Sequence, residues 1–170
     1  MADLASPLST DEFDPFVAGL DYPMFVVTTA TDDGATRAGC MVGFTTQASI
    51  DPPRFLVCLS DKNHTYRVAR DADRLAVHLL SRRDEALAEL FGEHTGDRED
   101  KFARCGWHRG PGDVPILDGA AAWFSGPIVH RAPLGDHTGF LIEPDAGECS
   151  DLTGVIMFRD VQGLDPGHDA

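Results

Sequence analysis

Residues 37–66 read RAGCMVGFTTQASIDPPRFLVCLSDKNHTY, two strand-like runs joined at Asp51-Pro52-Pro53 and followed by a helix start. Small or polar residues (Gly43, Thr45, Thr46, Gln47, Ala48 and Ser49) stand where a core strand normally carries bulk. Such a strand lets a flat ligand lie against its backbone, because little side chain stands in the way. Lys62, Asn63, Thr65 and Tyr66 then offer donors suited to an anion at a helix start. A cation there is unfavourable unless an anion accompanies it. The stretch therefore suggests a planar surface followed by an anion site.

The surrounding chain reads as mostly strand. Tyr22 to Ala30 is rich in β-branched and aromatic residues, Thr31-Asp32-Asp33-Gly34 is a hairpin turn, and Ala35 to Ser49 returns as a strand bent at Gly39 and Gly43. The proline pair leads into a strand over 55–60, a helix over 63–71 and a buried strand over 74–81. His78 in that last strand is expected to be a satisfied core histidine. A helical stripe over 82–91 ends at Gly92, and a short helix over 97–105 is anchored by Phe102. Residues 107–115 read as loop, and three strand-like runs follow over 120–131, 138–148 and 152–158. Strands linked as hairpins, with one helical excursion, predict a mainly β chain with peripheral helices, an antiparallel barrel rather than βαβ units. Residues 1–12 are expected to be a loose arm, with a short helix over 14–20. Residues 13–162 form one domain, and 163–170 form a frayed tail.

With a net charge of −14, general nucleic-acid binding is excluded. The segment 61–83 departs from that balance, with six cations against three carboxylates, most of them expected on a solvated helix face. Cys40, Cys58, Cys105 and Cys149 form no C-x-x-C pair, so neither zinc nor a disulfide framework is expected. The first residues lack an apolar signal core and no run is long enough to span a membrane, so the cytoplasm is the expected compartment. Dinucleotide, P-loop, nucleophile-elbow and zincin motifs are absent; Gly110-Pro111-Gly112 runs into Pro115 and opens no helix.

Taken in order, AGCMVGFTTQASIDPPRFLVCLS, KNHTY, LAVHLLS, LAELFG, DKFA, PILDG and GDH resemble the flavin reductase family of FMN-binding split barrels, from about Phe16 to Gly167. The resemblance implies a Greek-key split β-barrel, a homodimer with flavin near the subunit interface, and FMN or FAD reduced by NAD(P)H. In that family, reduced flavin often passes to a partner monooxygenase. Position by position, it puts Thr45, Thr46, Gln47, Ala48 and Ser49 along the isoalloxazine edge and Cys58 and Ser60 beside the ribityl chain. Lys62, Asn63 and Thr65 would hold the phosphate, with helix capping the plain alternative for Asn63. Phe91 and Lys101 would close over the cofactor, Phe91 otherwise being a core residue. Gly135-Asp136-His137 would lie beside the nicotinamide, with His137 positioning the dihydropyridine or donating a proton and Asp136 fixing the turn. Two departures stand out. Pro144 interrupts the strand after GDH, and Met157-Phe158-Arg159-Asp160-Val161 replaces the family's aromatic-Gly-Tyr segment. A deazaflavin-dependent oxidoreductase of the same fold and a non-catalytic flavin carrier are the alternative readings.

Overall fold

The computed structural model describes residues 6–150 and 152–165. The parts of the arm and tail that fall on residues 1–5 and 166–170 lie outside them. Ten strands are present among the described residues: β1 (Phe25–Ala30), β2 (Arg37–Val42), β3 (Thr45–Ser49), β4 (Arg54–Ser60), β5 (Arg74–Leu79), β6 (Trp107–Arg109), β7 (Pro115–Leu117), β8 (Ala122–Pro133), β9 (His137–Ile142) and β10 (Ala146–Cys149). Four α-helices accompany them: α1 (Thr10–Val17), α2 (His64–Ala69), α3 (Glu85–Glu93) and α4 (Phe158–Val161).

The main sheet is antiparallel throughout, in the order β2-β1-β5-β8-β9-β4-β3, and β10 adds to β8. Its two outermost strands, β2 and β3, are consecutive in the chain and separated only by Gly43 and Phe44. A sheet whose ends are joined by two residues cannot stay open, so it curls. Val27, Cys40, Val42, Val57, Leu59, Val77, Phe140 and Ile142, from strands at both ends and from the middle, meet in one buried core. At about 25 cal/mol per Å² of apolar surface removed from water, this shared interior drives the closure. The expected half-open antiparallel barrel is the fold observed.

A second core lies outside the barrel, where α3 and the Lys101–Arg104 turn pack Leu90, Phe91 and Phe102 against Val26 and Leu117. His78 joins the two layers. It is fully buried; its Nδ1 lies 3.0 Å from the Val26 carbonyl, and its Nε2 accepts from the Leu117 amide at 3.1 Å. Nδ1 is therefore the protonated nitrogen, and the satisfied core histidine is as expected.

Several boundaries differ from the sequence reading. The return strand breaks at Gly43–Phe44 into β2 and β3, because Thr45 N–H turns back to the Gly43 carbonyl (2.9 Å). Residues 107–115 are not loop throughout: β6 and β7 pair across a turn holding Gly112 at φ +64°. Pro144 does interrupt a strand, yet the ladder resumes on β10 because Glu143 and Asp145 still donate to Pro127 and Ser125 of β8. Gly126 makes that crossing possible, since a Cβ there would lie 1.9 Å from the Glu143 carbonyl oxygen. Residues 152–158 are not a strand; they make two isolated bridges, Ser81 to Val155 and Pro23 to Met157, before α4. The N-terminal helix begins at Thr10, inside the stretch read as arm, with Ser9 and Glu12 forming a capping box.

Candidate functional site

β2 and β4 both feed the barrel core, yet they are not hydrogen-bonded to each other. The gap between them is a cleft of about 340 Å³. Gly43 and Phe44 close its end, where the Phe44 carbonyl accepts from Cys58 N–H at 2.9 Å. Its walls carry two aromatic pairs. Tyr22 stacks on Phe158 with centroids 5.0 Å apart, and Phe44 sits 5.1 Å from the His137 ring. Gly43 makes room for the first pair, since a Cβ there would lie 2.5 Å from the Tyr22 ring. Cys40, Cys58, Ser60 and Asn63 line the remainder. Apolar walls with a few polar groups at one end are the usual make-up of a small-molecule site, and the volume lies within the ordinary range.

The polar end is built by the turn into α2. Asn63 caps the helix, its side chain accepting from Thr65 N–H at 2.8 Å, and Ser60 Oγ accepts from Lys62 N–H at 3.4 Å. The plain capping role is thus present for Asn63. Thr65 is buried directly behind it, against the Cys40 thiol. Lys62 is exposed at the rim and lowers the neighbouring Asp136 carboxyl through its charge.

Beside that polar end, where His137 pairs with Ser60 in the β4–β9 ladder, Gly135 (φ +128°) allows the turn that presents His137. Asp136 lies 2.8 Å from His137 Nδ1 and does more than fix the turn. It orients the imidazole so that Nε2 is the nitrogen left for the cleft. The His137 ring holds the Asp136 carboxyl below the usual carboxylate range. The turn is tied to β4 by Asp61, which donates its N–H to the Asp136 carbonyl (3.0 Å) and accepts from Thr138 Oγ1 (2.9 Å).

Neither cleft cysteine is prepared as a nucleophile. Burial pushes the Cys58 thiol up. It also pushes up Cys40, against smaller opposing pulls from Thr65, Lys101 and Asn63. Both stay protonated near neutrality, so His137 is the cleft group suited to holding or passing a proton.

Of the residues expected in a site, Cys58, Ser60, Asn63 and His137 meet in the cleft. Thr45 to Ser49 run on from Phe44 along the outer edge strand, half to fully exposed, with one edge unpaired among the described residues. Phe91 does not close over the cleft. It is a core residue, 2% exposed, and it packs beneath Gly39, where a Cβ would lie 2.8 Å from its ring. Lys101 lies behind β2, with its Nζ 2.9 Å from the His94 carbonyl and 5.1 Å from the Phe91 centroid. Sequence reasoning missed Tyr22, Phe44 and Phe158 as wall residues. Their signal was aromatic character beside glycine or at the altered C-terminal segment.

Comparison with known proteins agrees with this architecture. The family model "Flavin reductase like domain" matches residues 17–162. An "FMN reductase (NADH)" of Ancylobacter novellus is 31% identical over 155 residues, covering 91% of this chain and 84% of that one. A "4-hydroxyphenylacetate 3-monooxygenase reductase component" of Klebsiella oxytoca is 30% identical over 132 residues, covering 75% and 74%. Among solved structures, an FMN-binding protein from Thermus thermophilus superposes with TM-score 0.73 at 26% identity, covering 85% of this chain and 77% of that one. The chain spans only 45% and 46% of the length of two other curated relatives it matches.

Proposed function

Because the chain belongs to the flavin reductase-like family, we propose that it is a nicotinamide-dependent flavin oxidoreductase, the reductase half of a two-component monooxygenase. The observation that carries the reading is the cleft at the barrel's split, aromatic along its walls and polar at one end. Its dimensions and donor set fit a flavin. When bound, the flavin supplies the hydride-accepting chemistry, so the chain needs no nucleophile.

The chain's own residues bind and orient. Ser60, Asn63 and Lys62 hold the phosphate end, with Thr65 supporting Asn63 from beneath. Cys58 and Ser60 border the ribityl path, and the backbone of Thr45 to Ser49 offers edge donors and acceptors along the open side of β3. Tyr22, Phe158 and Phe44 exclude water from the ring region. His137, its Nδ1 donating to the Asp136 carboxylate, positions the nicotinamide through Nε2, which faces the cleft. NADH is the preferred donor, in line with the name of the Ancylobacter relative. The cytoplasm, where that donor is abundant, is the compartment.

A homodimer belongs to the same reading. α1 buries none of its residues and exposes Phe13, Phe16 and Val17, while Phe44 at the cleft, Ile50 in the β3–β4 turn and Leu134 in the β8–β9 turn are also exposed. Apolar surface of this extent marks an interface. Anaerobic stopped-flow absorbance of flavin-loaded protein, mixed separately with NADH and NADPH, tests the function. Rapid bleaching with NADH is expected. Retention of flavin without bleaching by either donor would remove the reductase reading in favour of a deazaflavin donor or a carrier.

A further inference from the structure

A separate cavity of about 280 Å³ lies behind β2, between residues 35–39 and the segment Gly96–Phe102. It shares no lining residue with the cleft. Gly39 borders the cavity, and Cys40, the next residue of β2, borders the cleft, as the alternation of a strand requires.

The charges around it leave one cation over. Each carboxylate of the enclosing segment has a guanidinium of its own: Asp97 has Arg67, Glu99 has Arg104 at 2.7 Å, and Asp100 has Arg37 at 4.0 Å. Lys101 has none at ion-pair distance among the described residues, although it is only 4% exposed. Burial pushes its ammonium down, against smaller upward pulls from Cys40 and Glu99. One of its donors meets the His94 carbonyl at 2.9 Å, and the Phe91 centroid lies 5.1 Å away. An ammonium has three donors, and leaving the others unfilled in a buried place is costly. Arg37, which also lines the cavity, adds a further donor: its guanidinium lies 4.8 Å over the Trp107 ring, and its buried Nε has no hydrogen-bond partner.

A single negative charge with several lone pairs answers both groups, and a carboxylate is such a charge. A dianion is disfavoured, because Glu99 and Asp100 also line the cavity and would repel the second charge. An inorganic ion would leave most of the volume empty, whereas Ala35, Ala38 and Phe102 offer an apolar wall to a short carbon body. The size is at the low end for small-molecule sites and so suits a compact ligand. We propose that this cavity is a binding site for a small organic monocarboxylate, held by Lys101 and Arg37 and independent of the flavin cleft.

Calorimetric titration of the full chain with benzoate, and with benzamide as its uncharged counterpart, tests this. Benzoate should bind at least about tenfold tighter than benzamide, and saturating FMN should leave its Kd unchanged. Lys101→Met keeps an unbranched stem beside Phe91 without the charge, and should weaken benzoate by at least about tenfold. Ala35→Trp, whose indole would fill the exposed mouth of the cavity, should do the same and decides the matter if Lys101→Met fails to fold. Absence of benzoate binding, equal binding of benzamide, or an unchanged Kd in either folded variant would overturn the inference. Displacement of benzoate by FMN would assign the cavity to the flavin and also overturn it.

Discussion

Acid should unfold this protein in part through His78. Burial lowers its pKa from 6.5 to about 4, against a weaker upward pull from the Val26 carbonyl and with a small further lowering from His108. In the unfolded chain His78 takes up a proton near pH 6.5; in the folded barrel it resists until about pH 4. The neutral ring therefore contributes its full stabilisation above pH 6.5. That contribution drains away as pH falls through the window and is gone below about 4. At about 1.4 kcal/mol per pH unit the whole effect is roughly 3 kcal/mol, of which ~2 kcal/mol is lost by pH 5.

The perturbation that isolates this is His78→Gln. Its amide can donate to the Val26 carbonyl and accept from Leu117 N–H, as the imidazole does, but it does not titrate. Urea unfolding of both proteins between pH 8 and pH 4.5, followed by far-ultraviolet circular dichroism, gives the difference directly. Lowered carboxylates such as Asp97 and Asp145 lose their stabilisation at lower pH, and they do so equally in both proteins, so they cancel. The wild type should lose ~2 kcal/mol more than the variant between pH 7 and pH 5. Parallel stability curves would refute the assignment of a neutral, buried His78.

Gly126→Ala should cost more than about 3 kcal/mol, because its Cβ would lie 1.9 Å from a backbone oxygen at the β9–β10 crossing; a melting temperature within a few degrees of wild type would contradict this. Gly43→Ala displaces the Tyr22 ring from the same wall and should raise the KM for NADH by about tenfold with little loss of stability or flavin affinity, measured by steady-state kinetics and fluorescence titration. His137→Ala should slow flavin reduction by about 10²-fold with affinity nearly intact, and unchanged single-turnover rates would exclude His137 from the site. Phe13→Ser with Phe16→Ser should convert a dimer to a folded monomer, since α1 contributes nothing to the monomer core; light scattering that still reports a dimer would place the interface elsewhere.

The sequence foretold the barrel where strands are long and periodic. β1, β2, β4, β5 and β8 were recognisable from β-branched runs between glycine and proline punctuation, and His78 from its apolar neighbours. It misled where strands fall below that signal. β6 and β7 have three residues each, too few for an alternation to register. Val155 and Ile156 look strand-forming, yet that segment is used for single bridges to Ser81 and Pro23, a tertiary choice no local pattern encodes. The polar end of the cleft was legible because Ser60 to Thr65 is one contiguous stretch. The Tyr22–Phe158 wall was not, since its two halves come from opposite ends of the chain. The burial of Lys101 was hidden for a related reason: the resemblance set it over the cofactor with Phe91, and no local pattern signals that packing behind β2 encloses it.

The altered C-terminal segment is the point where sequence pattern and structure can be weighed against each other. Met157-Phe158-Arg159-Asp160-Val161 lacks the aromatic-Gly-Tyr order, which on sequence alone argues against an aromatic wall beside the nicotinamide. In the folded chain, Asp160 caps its own turn through Met157 N–H (2.9 Å), and Arg82 holds the same carboxylate at 3.3 Å. Phe158 N–H meanwhile donates to the Tyr22 carbonyl at 2.8 Å, and Arg159 N–H donates to the Asp21 side chain. These backbone bonds fix Phe158 on Tyr22, and the pair forms the wall by a different route. The departure changes which residues supply the ring surface, not whether the cleft has one. A Phe158→Ala protein should therefore lose nicotinamide affinity through a missing wall, while α2 and the phosphate end keep their geometry. A raised KM for NADH with flavin affinity retained is the expected result. An unaltered KM would mean that the Tyr22–Phe158 stack only braces the termini.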